Sequence, residues 1–169
     1  MNTLAVVFYS LEGHTKYLAE HLAQRLDADL FQIHPKKPYP TKGFAKFFCA
    51  GRDASLRRTI ALQRPLPDFA DYSVVLLCTP IWAETTSAPV YSFLTQTNLS
   101  SKRLFFIATC SGGPAKRCFQ RMRKAASKGA TVLGEERFVH PSDETRTRDE
   151  AQIASICSLV NEYSEERIR

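Results

Sequence analysis

Six consecutive residues near the amino terminus have the types and spacing of a loop that binds a phosphate group. They are Ser10, Leu11, Glu12, Gly13, His14 and Thr15. An apolar run precedes them and an amphipathic helical pattern follows. A loop between a strand and a helix directs backbone N–H groups and the positive end of the helix dipole towards one point, which favours an anion. An ordinary turn capped by Ser10 or Thr15 is the alternative, so the hypothesis depends on the rest of the chain.

Short apolar runs alternate with helical patterns along the chain and position this loop. The runs predict five strands, at residues 4–8, 30–33, 74–78, 104–108 and 130–133. Strands that are apolar on both faces and separated by helices indicate a parallel sheet covered on both sides. We therefore predict an α/β fold, a three-layer sandwich with a five-stranded parallel sheet in the middle.

Length and composition set the class of protein. The chain has 169 residues, of which 44% are hydrophobic, and we expect one domain over residues 1–169. No apolar run approaches the roughly 20 residues that cross a bilayer, and no signal-peptide pattern is present. Five scattered cysteines without a C-x-x-C pair argue against a zinc site or a dithiol motif. We expect a soluble, cytoplasmic protein with reduced thiols.

Two further loops belong to the same predicted edge of the sheet. Ligands of such folds bind beyond the carboxyl ends of the strands, where the strand order reverses. The loops after the first, third and fourth strands are therefore the candidates. Beyond the first loop, they contain Thr79, Pro80, Ile81 and Trp82, and then Thr109, Cys110, Ser111, Gly112 and Gly113.

This order of elements and loops resembles the flavodoxin family. Ser10, Gly13 and Thr15 fit the family's phosphate-loop pattern T/S-x-T-G-x-T. The resemblance implies the strand order 2-1-3-4-5, with FMN at the carboxyl edge of the sheet. The cofactor-binding residues that it implies are Ser10, Leu11, Glu12, Gly13, His14, Thr15, Thr79, Pro80, Ile81, Trp82, Ala83, Thr109, Cys110, Ser111, Gly112 and Gly113.

The resemblance also implies a role for individual residues. Gly13 would let the backbone approach the phosphate, and His14 or Lys16 would add positive charge. Trp82 would lie against the flavin ring, although a lone tryptophan is also typical of a core or an interface. Backbone amides near Ile81 and in the Gly-Gly pair would bond the pyrimidine edge of the ring.

The chain departs from the family pattern in two loops. Glu12 stands where the pattern has threonine, which places a carboxylate near the phosphate. The loop after the fourth strand has no aromatic residue between Thr109 and Cys118, where electron-carrying flavodoxins often have a tyrosine. One face of the flavin would then be open to a substrate.

Charge is the third departure, because the chain has a formal net charge of +6 whereas carrier flavodoxins are typically acidic. Helical spacing predicts one basic stripe, formed by Arg117, Arg121, Lys124 and Lys128. The stripe favours an acidic partner surface or an anionic substrate such as NAD(P)H; a solvated helix face is the alternative. No nucleic-acid-binding motif accompanies it.

Other chemistries on a similar sheet do not match the residues. A receiver domain needs acidic residues where this chain has Ser10 and Thr79. A cysteine phosphatase needs an arginine at the position of Lys116, counted from Cys110. A dinucleotide fold needs G-x-G-x-x-G, of which the first loop has only Gly13.

These observations leave three hypotheses open. The first is an FMN-binding protein of flavodoxin type that transfers electrons between redox partners. The second is an FMN-dependent NAD(P)H oxidoreductase that acts on quinones or similar acceptors. The third is a flavodoxin-like interaction module that has lost FMN because of Glu12.

Overall fold

Five parallel strands form the central sheet of the protein. The structure is a computed structural model that describes residues 3–40, 43–56, 58–126 and 128–165, without the side chains of 43–48 and 165. The strands are β1 Leu4–Phe8, β2 Asp29–Gln32, β3 Val74–Trp82, β4 Thr85–Thr86, β5 Arg103–Cys110 and β6 Thr131–Val139. The parallel order is β2-β1-β3-β5-β6, and the short β4 pairs antiparallel with β3. Counted without β4, this is the predicted order 2-1-3-4-5, which is confirmed.

Helices cover both faces of this sheet. They are α1 His14–Leu26, α2 Gly43–Ser55, α3 Ala88–Gln96, α4 Lys116–Ala125 and α5 Arg146–Glu165, the last preceded by a 3₁₀ turn at Asp143–Thr145. None of the helices in the described part of the chain is long and apolar enough to cross a bilayer. The predicted three-layer α/β fold is confirmed.

Alternate residues of each strand enter different cores, because successive side chains of a strand point to opposite faces. Val6 of β1 lies in one core with residues of α1 and α5. Val7 lies in the other core with residues of α3 and α4. Both side chains are almost completely buried. Burial on two sides explains why β1 is a continuous apolar run in the sequence.

Three strands extend beyond the predicted apolar runs: β5 by a residue or two at each end, and β3 and β6 by more. β3 continues to Trp82, because its last two residues pair with β4 across a tight turn. β6 continues to Val139 through the polar residues Glu135, Glu136 and Arg137. Since β6 is an edge strand and only partly buried, it keeps its backbone pairing with β5 without needing an apolar sequence.

Candidate functional site

A cavity of about 220 Å³ lies where the predicted loops meet at the carboxyl edge of the sheet. All of the predicted site residues line it except Gly13, Thr79, Gly112 and Gly113. The lining consists of Ser10, Leu11, Glu12, His14, Thr15, Ala50, Gly51, Pro80, Ile81, Trp82, Ala83, Thr109, Cys110, Ser111 and His140. The sequence analysis missed Ala50, Gly51 and His140, which come from α2 and from the connection between β6 and α5.

The first loop closes on itself through a hydrogen bond. The Gly13 N–H donates to Ser10 Oγ at 3.1 Å, and Gly13 is the residue before α1 begins. Its backbone φ is +101°, a conformation that favours glycine strongly. Gly13 therefore shapes the loop without contributing a side chain to the cavity. Helix α1 begins at its wall, with the positive end of the helix dipole there.

A buried hydroxyl pair joins this loop to β5. Thr15 Oγ1 and Thr109 Oγ1 lie 2.7 Å apart, and both residues are buried. One hydroxyl hydrogen makes this bond, so the pair retains a second hydrogen that a ligand can accept. The contact fixes the first turn of α1 against the end of β5.

Thr79 supports the second loop from behind. It is fully buried, and its hydroxyl lies 3.1 Å from Thr86 Oγ1 and 3.0 Å from Ser87 Oγ. The Ser87 N–H also donates to Thr79 Oγ1. These bonds hold β4 and the start of α3 against β3. Thr79 thus positions the cavity wall and does not form it, contrary to its predicted place among the contact residues.

A two-residue turn connects β3 and β4 and sets the place of Trp82. Ala83 and Glu84 have φ values of +47° and +61°, the pattern of a tight hairpin turn. Both residues are exposed. Glu84 forms an ion pair with Arg117 at the start of α4, with 2.8 Å between Glu84 Oε2 and Arg117 Nη1. The ion pair joins the β3–β4 turn to the start of α4.

Two tyrosines hold Trp82 in the wall. The ring centroids of Tyr9 and Tyr39 lie 5.5 Å and 5.1 Å from that of Trp82, both edge to face. Burial raises the pKa of Tyr9 to about 12. Burial, and then the carboxylate of Asp53 that accepts its hydroxyl hydrogen at 3.0 Å, raise the pKa of Tyr39. Both phenols therefore stay neutral near pH 7 and act as apolar packing for the indole.

The segment of residues 35–67 takes part in the site through Tyr39 and α2. Ala50 and Gly51 of α2 line the cavity directly. Phe44, Phe47 and Phe48 belong to α2, and their side chains lie outside the described residues. This segment therefore forms a wall of the cavity.

An arginine of the edge strand β6 supports the loop at the carboxyl end of β5, residues 109–113, which is the third of the three site loops. Arg137 Nη1 donates to the carbonyl oxygens of Gly113 at 2.7 Å and Gly112 at 3.4 Å. Gly112 has φ +140°, which favours glycine, and both glycines are exposed beside the cavity. Arg137 was missed by the sequence analysis because its strand is distant in the sequence from the loop that it contacts.

Charge near the cavity differs from the prediction. Lys16 forms an exposed ion pair with Glu20, 3.7 Å away, and does not line the cavity, whereas His14 does. Glu12 is exposed at the cavity wall. The described lining residues include neither lysine nor arginine. Among the described residues, the lining histidines and the α1 dipole are therefore the sources of positive charge in the cavity wall.

The predicted basic stripe is wrong at two of its four positions. Arg121 is buried, with its guanidinium 3.9 Å from the centre of the Tyr91 ring and a 2.7 Å bond to the Ala54 carbonyl. Lys128 lies beyond Ala125, where α4 ends. Arg117 and Lys124 are exposed. Helical spacing placed all four on one side, but α2 and α3 cover part of that side.

The strand order and the cavity across three strand ends define an α/β protein of the flavodoxin-like class. A family model described as flavodoxin matches residues 3–148. The chain belongs to the flavodoxin family.

Solved structures share this fold at low sequence identity. A flavoprotein from Lactobacillus acidophilus NCFM, solved in complex with FMN, is 18% identical with a TM-score of 0.70, covering 88% of this chain and 98% of that one. The apo-form of the flavoprotein from the same organism is 19% identical with a TM-score of 0.62, covering 86% and 95%. Two-electron reduced flavodoxin from Megasphaera elsdenii is 17% identical with a TM-score of 0.53, covering 96% and 98%. No curated protein matches the chain in sequence.

Breaking the buried hydroxyl pair should destabilise the protein in a coupled way. Thr15→Val or Thr109→Val alone leaves one buried hydroxyl without its partner, which costs about 1–3 kcal/mol. The double variant removes both hydroxyls and should cost less than the sum of the single variants. Urea unfolding without added ligand measures these differences, with Thr59→Val at an exposed site as the control. Additive single effects would show that the two hydroxyls do not interact.

Proposed function

We propose that this chain binds FMN in the cavity and transfers electrons between redox partners. The observation that carries the proposal is the convergence of three loops on one cavity, with the start of α1 and the aromatic Trp82 both in its wall. A phosphate group suits the start of α1, and a flat aromatic ring suits the Trp82 side chain. The family of the chain and the FMN complex of the Lactobacillus acidophilus flavoprotein support this choice of cofactor.

The residues present fit such a cofactor. The Thr15 and Thr109 pair offers a hydroxyl hydrogen, and the first loop supplies backbone N–H groups near the start of α1. Trp82 would exclude water from one side of the ring. FMN would supply the electron chemistry, and the chain would bind it, orient it and set its electrostatic surroundings. A cavity of about 220 Å³ would leave part of the ring near the surface, within reach of a partner.

An FMN titration of the purified protein tests the proposal. The flavin fluorescence should be quenched on binding, and a protein that leaves it unquenched would instead be a flavin-free interaction module. Gly13→Asp should abolish binding, because it adds bulk and negative charge beside the phosphate. The matched control is Gly129→Asp, which puts the same residue at a positive φ of +88° outside the cavity lining. Equal effects of the two variants would remove the phosphate-loop assignment.

An NAD(P)H oxidoreductase acting on quinones is the second candidate function. It is favoured by the exposed third loop, in which Ser111, Gly112, Gly113 and Pro114 are all exposed and none is aromatic. One side of a bound ring would then be open to a nicotinamide or a quinone.

Anaerobic mixing of the FMN-loaded protein with NADPH separates the two candidates. An electron carrier should be reduced slowly by NADPH alone, because it has no nicotinamide site. If NADPH bleaches the flavin absorbance at a rate close to that of reduction by dithionite, the result would contradict the carrier and favour the oxidoreductase. Stopped-flow absorbance measures both rates.

We also propose that an acidic redox partner approaches the exposed cations of α4. Lys116 and Lys124 are exposed there, on the helix that follows the third loop. Arg117 is exposed too, although it pairs with Glu84. The overall charge of +6 supports the same choice of partner.

Charged small-molecule acceptors test this surface. Replacing Lys116 and Lys124 together by glutamate should slow oxidation of the reduced protein by ferricyanide, an anion, several-fold at low salt. Oxidation by hexaamminecobalt(III), a cation, should become faster. Both effects should fade as the Debye length falls to about 10 Å near 0.1 M salt. Glutamate at Lys36 and Lys37, which precede α2, is the control. Equal responses of the two double variants would contradict a docking role for α4.

A further inference from the structure

The connection between β6 and α5 reaches the first loop of the site. His14 Nδ1 lies 3.1 Å from the carbonyl oxygen of Pro141. Because a carbonyl only accepts hydrogen bonds, Nδ1 carries the hydrogen. Among the described residues, Nε2 of His14 has no hydrogen-bond partner, and the ring lines the cavity. The second nitrogen of His14 is therefore available to a ligand.

His140, in the same connection, lines the cavity beside His14. The two ring centroids lie 5.1 Å apart at an interplanar angle of 72°. The His140 N–H donates to the Cys110 carbonyl at 3.0 Å, so its backbone is attached to the end of β5. Its φ of +43° is unusual for a residue with a side chain. Such a conformation persists where the surroundings hold it, and it is typical of binding sites.

The charges of the lining explain why two histidines matter. A phosphate monoester carries between one and two negative charges near pH 7. The lining contains the carboxylate of Glu12 and, among its described residues, neither lysine nor arginine. An imidazole can donate an N–H to phosphate in either protonation state, and the protonated ring adds a full positive charge. The histidine pair is thus the only side-chain source of positive charge in the described lining.

We propose that His140 binds the phosphate of FMN together with His14, which makes the connection between β6 and α5 a fourth cofactor-binding loop. The inference rests on the proposed function and adds a phosphate ligand outside the three loops that the sequence predicts.

Comparing the affinities for FMN and riboflavin isolates the contribution of the phosphate to binding, because the two flavins differ only in that group. His140→Asn removes the imidazole and keeps a residue that tolerates positive φ. It should weaken FMN binding about tenfold, as expected for the loss of a charge-assisted hydrogen bond. Riboflavin binding should not change. His140→Gly, which also suits this φ, provides a second variant if the first does not fold.

The control is His34→Asn, an exposed histidine outside the cavity lining, which should change neither affinity. Fluorescence titration gives both dissociation constants. Equal loss of FMN and riboflavin affinity in the His140 variants would overturn the inference, and so would an unchanged FMN affinity. Wild-type protein that binds neither flavin would overturn the proposed function itself, a result distinct from both.

Discussion

All five parallel strands end at the same edge of the sheet, because each crossover returns the chain to the opposite edge before the next strand begins. This constraint brings together loops that lie far apart in the sequence. Thr15 and Thr109 are separated by 94 positions and still form a buried hydroxyl pair. The cavity, its aromatic wall and the start of α1 meet at one place because the strands that deliver them are parallel.

A layer of polar contacts behind the cavity fixes its walls. Thr79 holds the β3–β4 hairpin, and Arg137 holds the carbonyls of the third loop. Neither side chain lines the cavity. Binding sites need such support, because a contact residue is only as well placed as the groups that hold it. Some loop residues predicted to contact the cofactor, such as Thr79, therefore support the cavity wall and do not line it.

The sequence predicted the fold well because the signals that determine it are local. β1 is apolar on both faces, and Gly13 marks the turn into α1. Patterns that depend on distant partners were harder to predict. Three charged residues, Glu135, Glu136 and Arg137, interrupt the apolar pattern of β6, so its extension, Arg137 itself and the neighbouring His140 gave no local signal.

Arg121 shows the opposite error, in which a correct helical spacing led to a wrong surface. Its position on α4 follows the predicted period, and the sequence could not show that Tyr91 of α3 and the end of α2 cover that position. An arginine can be buried where its guanidinium stacks on an aromatic ring and donates to a carbonyl. Charge counted from the sequence is therefore not all available at the surface.

The ion pair between Glu84 and Arg117 has a mechanical consequence. It ties the hairpin that carries Trp82 to the helix that follows the Ser111 loop, yet both side chains are well exposed, with 57% and 69% of their surface accessible. Exposed pairs of this kind are weak and are screened by salt. The contact between the hairpin and α4 should therefore weaken as the salt concentration rises, whereas the buried Thr15–Thr109 hydroxyl pair, which is shielded from solvent, should be insensitive to salt.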